Sequence, residues 1–337
     1  MDSTQQILSQ IPVQDTVQAP PEVLISKLIA FSSDASGNDK YQIFIMYDNG
    51  DSLKQLSFLD LDCYTPRFSP DGRKIVFHAT NVISDYLYLI DLDDSSGLPS
   101  PKFIDGGIDP VFSEDGNYLL YRSEKNEDNA IYITDLETDS SDMISDGSLS
   151  AHAEFSSDGS KVIYTSSANG NMDLVVIDMD DTTENSQKAI AMSDDAEIYG
   201  TFSPDGKLVA YASFDINYKG TVHICGSDGS SNLTIPMGKG SSYNPKFSPD
   251  SKQLAFVSER SGNFEVYICN TDGSGLKQLT NKDGDTMGFD WSSDGKAIIY
   301  ENKNESVSSI NVVDIESGKT ENLTGSNANN INPSFQK

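Results

Sequence analysis

Few places in this sequence are equipped for chemistry. His78, His152 and His223 are its only imidazoles, the groups best suited to proton transfer or transition-metal binding near neutral pH. They are separated by 74 and 71 residues, so no local metal-ligand spacing forms. Cys63, Cys225 and Cys269 are an odd number and too few for a disulfide framework. Each is read as a free, mostly buried thiol. No Gly-x-Ser-x-Gly pentapeptide presents a serine nucleophile on a strand-to-helix elbow. The remaining candidates are carboxylates. Asp91-Leu-Asp-Asp94 and Asp178-Met-Asp-Asp181 are the densest clusters, yet neither follows the Asp-x-Asp-x-Asp-Gly spacing of a calcium loop with its distal Glu. Asp at strand ends also serves turns. No cofactor is therefore expected, and calcium is the one ion that the acidity leaves open.

Acidity is the strongest bulk property. Against 23 Lys and Arg stand 52 Asp and Glu, a formal net charge of −29. Duplex affinity comes from cationic groups displacing counterions, so no nucleic-acid partner is expected and an anionic membrane is a poor one. Cationic ligands, divalent ions and basic protein surfaces remain. No apolar run reaches the roughly 18 residues of a membrane span.

These side chains must be positioned by the repeat that dominates the chain. Phe68-Ser-Pro-Asp-Gly72 recurs as Phe112-Ser-Glu-Asp-Gly116, Phe155-Ser-Ser-Asp-Gly159, Phe202-Ser-Pro-Asp-Gly206, Phe247-Ser-Pro-Asp-Ser251 and Trp291-Ser-Ser-Asp-Gly295. The aromatics lie 44, 43, 47, 45 and 44 residues apart, too even a period to be accidental. Asp-Gly between apolar runs marks a hairpin, because such turns need the positive φ that Gly tolerates. A β-rich run follows every motif, as in Lys74-Ile-Val-Phe77 and Lys161-Val-Ile-Tyr164. A third run follows, as in Phe264-Glu-Val-Tyr-Ile268, and a short fourth, clearest in Leu276-Lys-Gln-Leu-Thr280. Four short antiparallel strands per ~44 residues describe a propeller blade.

The ends of the sequence complete the count. Leu28-Ile-Ala-Phe31, Tyr41-Gln-Ile-Phe-Ile45 and Leu53-Lys-Gln-Leu56 supply three strands of an N-terminal blade that lacks its first. Asn332-Pro-Ser-Phe335 supplies it, matching Asn244-Pro-Lys-Phe247, with Phe335 lying 44 residues after Trp291. The expected fold is all-β: a seven-bladed β-propeller over residues 27–337, closed by the C-terminal strand. Residues 1–26, rich in Gln, Pro and Ser, read as a flexible tail without a signal peptide's charged and apolar regions.

The run Ser258-Glu-Arg-Ser-Gly-Asn-Phe-Glu-Val-Tyr-Ile268, with Asp272-Gly-Ser-Gly and Leu276-Lys-Gln-Leu-Thr280, resembles TolB-like (WD40-like) propeller repeats. No Trp-Asp dipeptide closes a third strand as in the WD type. The resemblance implies a bacterial or archaeal origin, a periplasmic, cell-envelope or extracellular location, and protein binding rather than catalysis. TolB itself is similar only in its propeller, which has six blades, and its separate N-terminal domain has no counterpart here. Its particular envelope partners are therefore not implied. Related propellers gate prolyl-oligopeptidase-like peptidases, whose hydrolase domain is not matched. Propeller lyases are similar in repeat pattern but gather histidines around the channel. Here the three histidines fall on a second, a first and a third strand of different blades, and are not expected to meet.

In a propeller the turns after strands one and three share one face, and the loops after strands two and four share the other. The repetitive Asp-Gly turns make the first face structural, and the variable loops make the second a recognition face. The expected site on that face comprises Tyr64, Asp109, His152, Tyr199, Tyr243 and Asn244 at the channel mouth, with Arg260 and Asn263 in a longer loop. Tyr offers apolar area with a polar tip, suited to a protein or glycan. The expected function is a non-catalytic, monomeric binding scaffold of the envelope or exterior. The alternative is a propeller enzyme, a polysaccharide lyase or glycan hydrolase using channel carboxylates.

Overall fold

The computed structural model describes residues 27–337 apart from 38, 95–99, 124–128, 146–147, 181–185, 237 and 306. The tail expected at 1–26 and Asp181 lie outside the described residues. Within them, 28 strands numbered in chain order form seven four-stranded antiparallel sheets. Blade one is assembled from both ends of the chain, in the order β28 (Asn330–Phe335), β1 (Leu28–Ser33), β2 (Gln42–Tyr47), β3 (Lys54–Gln55). The other six blades are consecutive. Their first strands are β4 (Asp62–Phe68), β8 (Ile108–Phe112), β12 (Ser150–Phe155), β16 (Ala196–Phe202), β20 (Ser242–Phe247) and β24 (Asp285–Trp291). The fourth strands are shorter than the sequence suggests, Lys54–Gln55 and Lys277–Gln278 covering two residues each.

The chain forms no single central core. Apolar side chains from both faces of each sheet pack against the neighbouring blade instead. Phe68, Ile75 and Phe77 of blade two meet Ala30, Ile43 and Leu56 of blade one. Equivalent clusters fill the junctions of two with three, three with four, four with five, five with six and six with seven. The seventh joins Ile299 and Ile310 of blade seven to Phe31, Met46 and Phe335 of blade one. Every blade thus has two buried faces, and the ring is closed by packing as well as by the β28–β1 pairing.

The repeated motif sets the strand-one to strand-two turn. Ser69 Oγ donates to Asp71 Oδ1 at 2.5 Å, and the N–H groups of Arg73 and Lys74 are taken by Asp71 and Ser69 at 3.1 and 2.9 Å. The same three contacts recur around Ser156 and Asp158. Gly72 sits at φ +69°, and where the motif ends in Ser, Ser251 takes the same left-handed conformation at 61°. Cys63, Cys225 and Cys269 are buried free thiols.

Candidate functional site

Every first strand carries a register shift against its neighbour, such as Tyr64↔His78 followed by Arg67↔Val76. The same slip occurs in blades three to seven and between β28 and β1. Three residues before each terminal aromatic, the backbone turns left-handed at Thr65, Asp109, His152, Tyr199, Asn244 and Asn332, with φ between 50° and 58°. Blade seven has Gly288 at this position. A bulge bends an edge strand and re-aims its side chain, and Asn, Asp and Gly tolerate the conformation best. Here the bulges form a ring on the innermost strands. Asp109, His152, Tyr199 and Asn244 from the expected site are members; Tyr64 and Tyr243 lie one residue earlier.

The ring gathers part of that site. His152 of blade four and Tyr199 of blade five have ring centroids 4.4 Å apart. Tyr199 lies 6.4 Å from Tyr243 of blade six, which meets Phe264 edge-on at 5.4 Å. Tyr64 stands in a second group with Tyr41 and His78, at 5.2 and 5.5 Å. Burial pushes the Tyr64 and Tyr243 hydroxyls up to about 12 and lowers the pKa of His78 and His152, with the Asp109 carboxylate opposing on both imidazoles. The rings are therefore held neutral. His78 Nδ1 pairs with Thr65 Oγ1 at 2.8 Å, whereas His152 Nδ1 is buried without a partner.

His223 is elsewhere, stacked on Tyr211 at 4.9 Å. Arg260 turns away from the ring, its guanidinium 4.7 Å from the Tyr267 centroid and 5.3 Å from Phe256, with Nε donating to Ser258 Oγ at 2.9 Å. Asn263 is exposed in the same loop. Among the described residues no group of three or more His, Cys, Asp or Glu is arranged to hold a metal ion.

A cavity of about 560 Å³ opens on the Asp-Gly face and is lined by none of the eight expected site residues. Its wall holds the residue immediately before each motif aromatic: Arg67, Val111, Glu154, Thr201, Lys246, Asp290 and Ser334. Lys246 Nζ donates to the Phe289 carbonyl at 2.9 Å and pairs with Asp290 Oδ1 at 3.4 Å. Burial lowers the Lys246 pKa, and Asp290 opposes that shift. Sequence reading missed this tier, although its signal was regular: one position upstream of each repeated aromatic.

Seven bladed sheets around such a channel define a propeller with two chemically distinct mouths. Residues 181–337 match the TolB beta propeller domain, and the seven sheets that include them form one β-propeller. No curated protein matches it in sequence. Among solved structures, TolB from Acinetobacter baumannii is similar at 20% identity and a TM-score of 0.60, over 92% of this chain and 66% of that one. The chain thus spans just under two thirds of that TolB. An oligogalacturonate lyase in complex with manganese is similar at 16% identity and 0.62, over 88% and 85%. The β-propeller domain of the Trilobed protease from Pyrococcus furiosus, described as having an open velcro topology, is similar at 17% and 0.65, over 89% and 93%. At these identities the likeness is one of fold, and it takes in TolB, a lyase and the propeller domain of a protease alike.

Proposed function

We propose that this chain is a non-catalytic binding scaffold that takes a protein partner on the face opposite the Asp-Gly turns. The observation that carries this reading is apolar exposure concentrated in the loops of that face. Val82 and Ile83, between strands two and three of blade two, are 104% and 90% exposed; Ile216 and Tyr218, in the equivalent loop of blade five, are 94% and 85%. Met192 and Phe58, in strand-four to strand-one loops, are 67% and 57% exposed. Pairs of large apolar side chains exposed on polar loops of one face suit a protein interface more than a glycan site. Tyr64, Asp109, His152, Tyr199, Tyr243 and Asn244 form the inner part of this proposed surface, with Arg260 and Asn263 at its edge. A periplasmic or extracellular location accords with the family resemblance and with the acidity. No helix among the described residues is long and apolar enough to cross a membrane.

The test is a matched pair of proteins, the natural chain and a variant with Val82, Ile83, Ile216 and Tyr218 changed to Ser. A partner cross-linked from envelope extract is identified, purified and titrated against both. The variant should bind at least about 30-fold more weakly, the effect of losing one hot-spot residue, at an unchanged melting temperature. Equal affinity would sink the proposal.

The second reading is an enzyme, favoured by Glu154, Asp290, Lys246 and Arg67 lining one cavity. Incubation with oligogalacturonate and manganese, followed by ultraviolet absorbance of unsaturated product, checks it. Turnover abolished in Glu154→Gln or Asp290→Asn would replace the scaffold reading.

A further inference from the structure

One backbone contact recurs between neighbouring blades. Cys63 N donates to Tyr41 O at 2.9 Å, Ser150 N to Asn129 O at 2.8 Å, Glu197 N to Met172 O at 2.7 Å and Thr286 N to Phe264 O at 2.7 Å. Each bond sets a residue opening a first strand beside one opening the previous blade's third strand: Cys63 by Gln42, Ser150 by Ala130, Glu197 by Asp173, Thr286 by Glu265. In three of these four pairs the first-strand member is neutral. The polar third-strand members of blades one and six are also satisfied from their own blade. Ser57 Oγ donates to Gln42 Oε1 at 2.9 Å, and the Thr280 hydroxyl donates to Glu265 Oε2.

Of these four pairs, Glu197 and Asp173 at the junction of blades four and five are the one in which both members are carboxylates. Asp173 is 1% exposed and Glu197 2%. Asp173 Oδ2 accepts from Asn169 Nδ2 at 2.9 Å, and Glu197 Oε1 accepts from the Ser193 hydroxyl. Asp173 Oδ1 and Glu197 Oε2 are both buried without a partner. Among the described residues, blade four provides no counterpart of the Thr280 bond, and no ion pair to Lys or Arg neutralises either group. Two adjacent buried anions with two open oxygens are strongly unfavourable unless something fills the gap. A bridging water would satisfy the oxygens and leave both charges. A shared proton would remove one charge. A divalent cation would satisfy both oxygens and balance both charges.

We propose that the junction of blades four and five holds a hard divalent cation of the calcium class, with Asp173 Oδ1 and Glu197 Oε2 as its charged ligands. Neutral oxygens and water complete the six to eight positions such an ion takes; the Asn169 side-chain carbonyl belongs to the same loop. The ion ties two blades together in a chain whose net charge of −29 already favours cations.

The test titrates calcium into the metal-free full chain by calorimetry and follows its thermal melt. One saturable site and a higher melting temperature are expected. Both should be lost in Glu197→Gln and in Asp173→Asn, and kept in Glu137→Gln, an exposed acid elsewhere. Metal-free Glu197→Gln should melt no lower than the metal-free natural chain, since it removes a repulsion, which also shows that the variant folds. Three results overturn the proposal. Calcium binding equal in all four proteins would mean surface acidity. A melt insensitive to calcium and magnesium that rises with falling pH would mean a shared proton. Insensitivity to both would mean a bridging water.

Discussion

Asn329 and Asp34, 295 residues apart, clasp each other in a two-pronged hydrogen bond: Asn329 N and Nδ2 donate to Asp34 Oδ1 and Oδ2, each at 2.8 Å. Asp34 N returns a bond to the Asn329 carbonyl at 3.3 Å. The clasp lies where β28 meets β1, so the two ends of the chain are joined by side chains as well as by strand pairing. Gln336 adds a second tie beyond the strand, its N–H donating to Leu28 O at 2.8 Å and its Nε2 to Gly72 O at 2.9 Å.

Ring closure is therefore measurable at two levels. Asp34→Ala leaves the Asn329 amide unpaired and should cost about 1–3 kcal/mol, the usual penalty for stranding a charge-assisted bond, read as a lower midpoint in urea. Deleting residues 331–337 removes Phe335 from the junction of blades seven and one and should lower the melting temperature far more. A truncated chain that melts with the natural one would refute closure by β28.

The motif turns predict an acid limb. Hydrogen bonds from the Ser hydroxyl first, then the following N–H groups, hold Asp71 and Asp115 below the ordinary carboxylate range, and hold Asp158 at about 2. Asp205 is also held at about 2, chiefly by Lys207 and then by Ser203. A carboxyl whose folded pKa is depressed contributes stability above its unfolded pKa of about 4 and loses it as pH falls toward the folded value. Stability should thus decline between about pH 4 and pH 2, and Asp158→Asn should flatten that decline. Urea midpoints measured across this range check the sign; an unchanged slope in the variant would count against it.

Gly200 is needed for close approach rather than for a turn. A Cβ there would stand 2.4 Å from Leu174 Cδ1 and 2.9 Å from Ile163 Cδ1, both of blade four. Gly200→Ala should overpack the junction of blades four and five and cost about 1–3 kcal/mol, seen in thermal melts. Gly206→Ala meets no atom within 4 Å, so its cost should come only from its φ of +70°.

The thiols should be inert in the folded chain. Burial pushes Cys63 up to about 12 and Cys225 and Cys269 up to about 11, so thiolate at pH 8 is scarce. A disulfide reagent should titrate no thiol in buffer and all three in denaturant. Rapid reaction of one native thiol would show that its blade junction opens.

Much of the fold was legible because a propeller is written in local signals. Each Asp-Gly turn, alternating run and interval of about 44 residues needs only a few neighbouring residues to act. The seventh blade was legible for the same reason, since Asn332-Pro-Ser-Phe335 repeats Asn244-Pro-Lys-Phe247. The bulge ring was largely legible: Asp109, His152, Asn244, Gly288 and Asn332 are types that favour the left-handed region, but Thr65 and Tyr199 take the same place without that signature.

What lay beyond the sequence depends on contacts between blades. That His152, Tyr199 and Tyr243 form one aromatic chain while Arg260 folds back on its own blade follows from how adjacent sheets are rotated around the axis. That Asp173 meets Glu197, and that Arg67, Glu154, Lys246 and Asp290 share a cavity, follows from ring closure itself. The sequence by itself determined the blade, the blade count and the strand that closes the ring, because period and turn chemistry are local. Only the tertiary structure decided which side chains face one another, because those distances exist only once seven separately specified sheets pack into a ring.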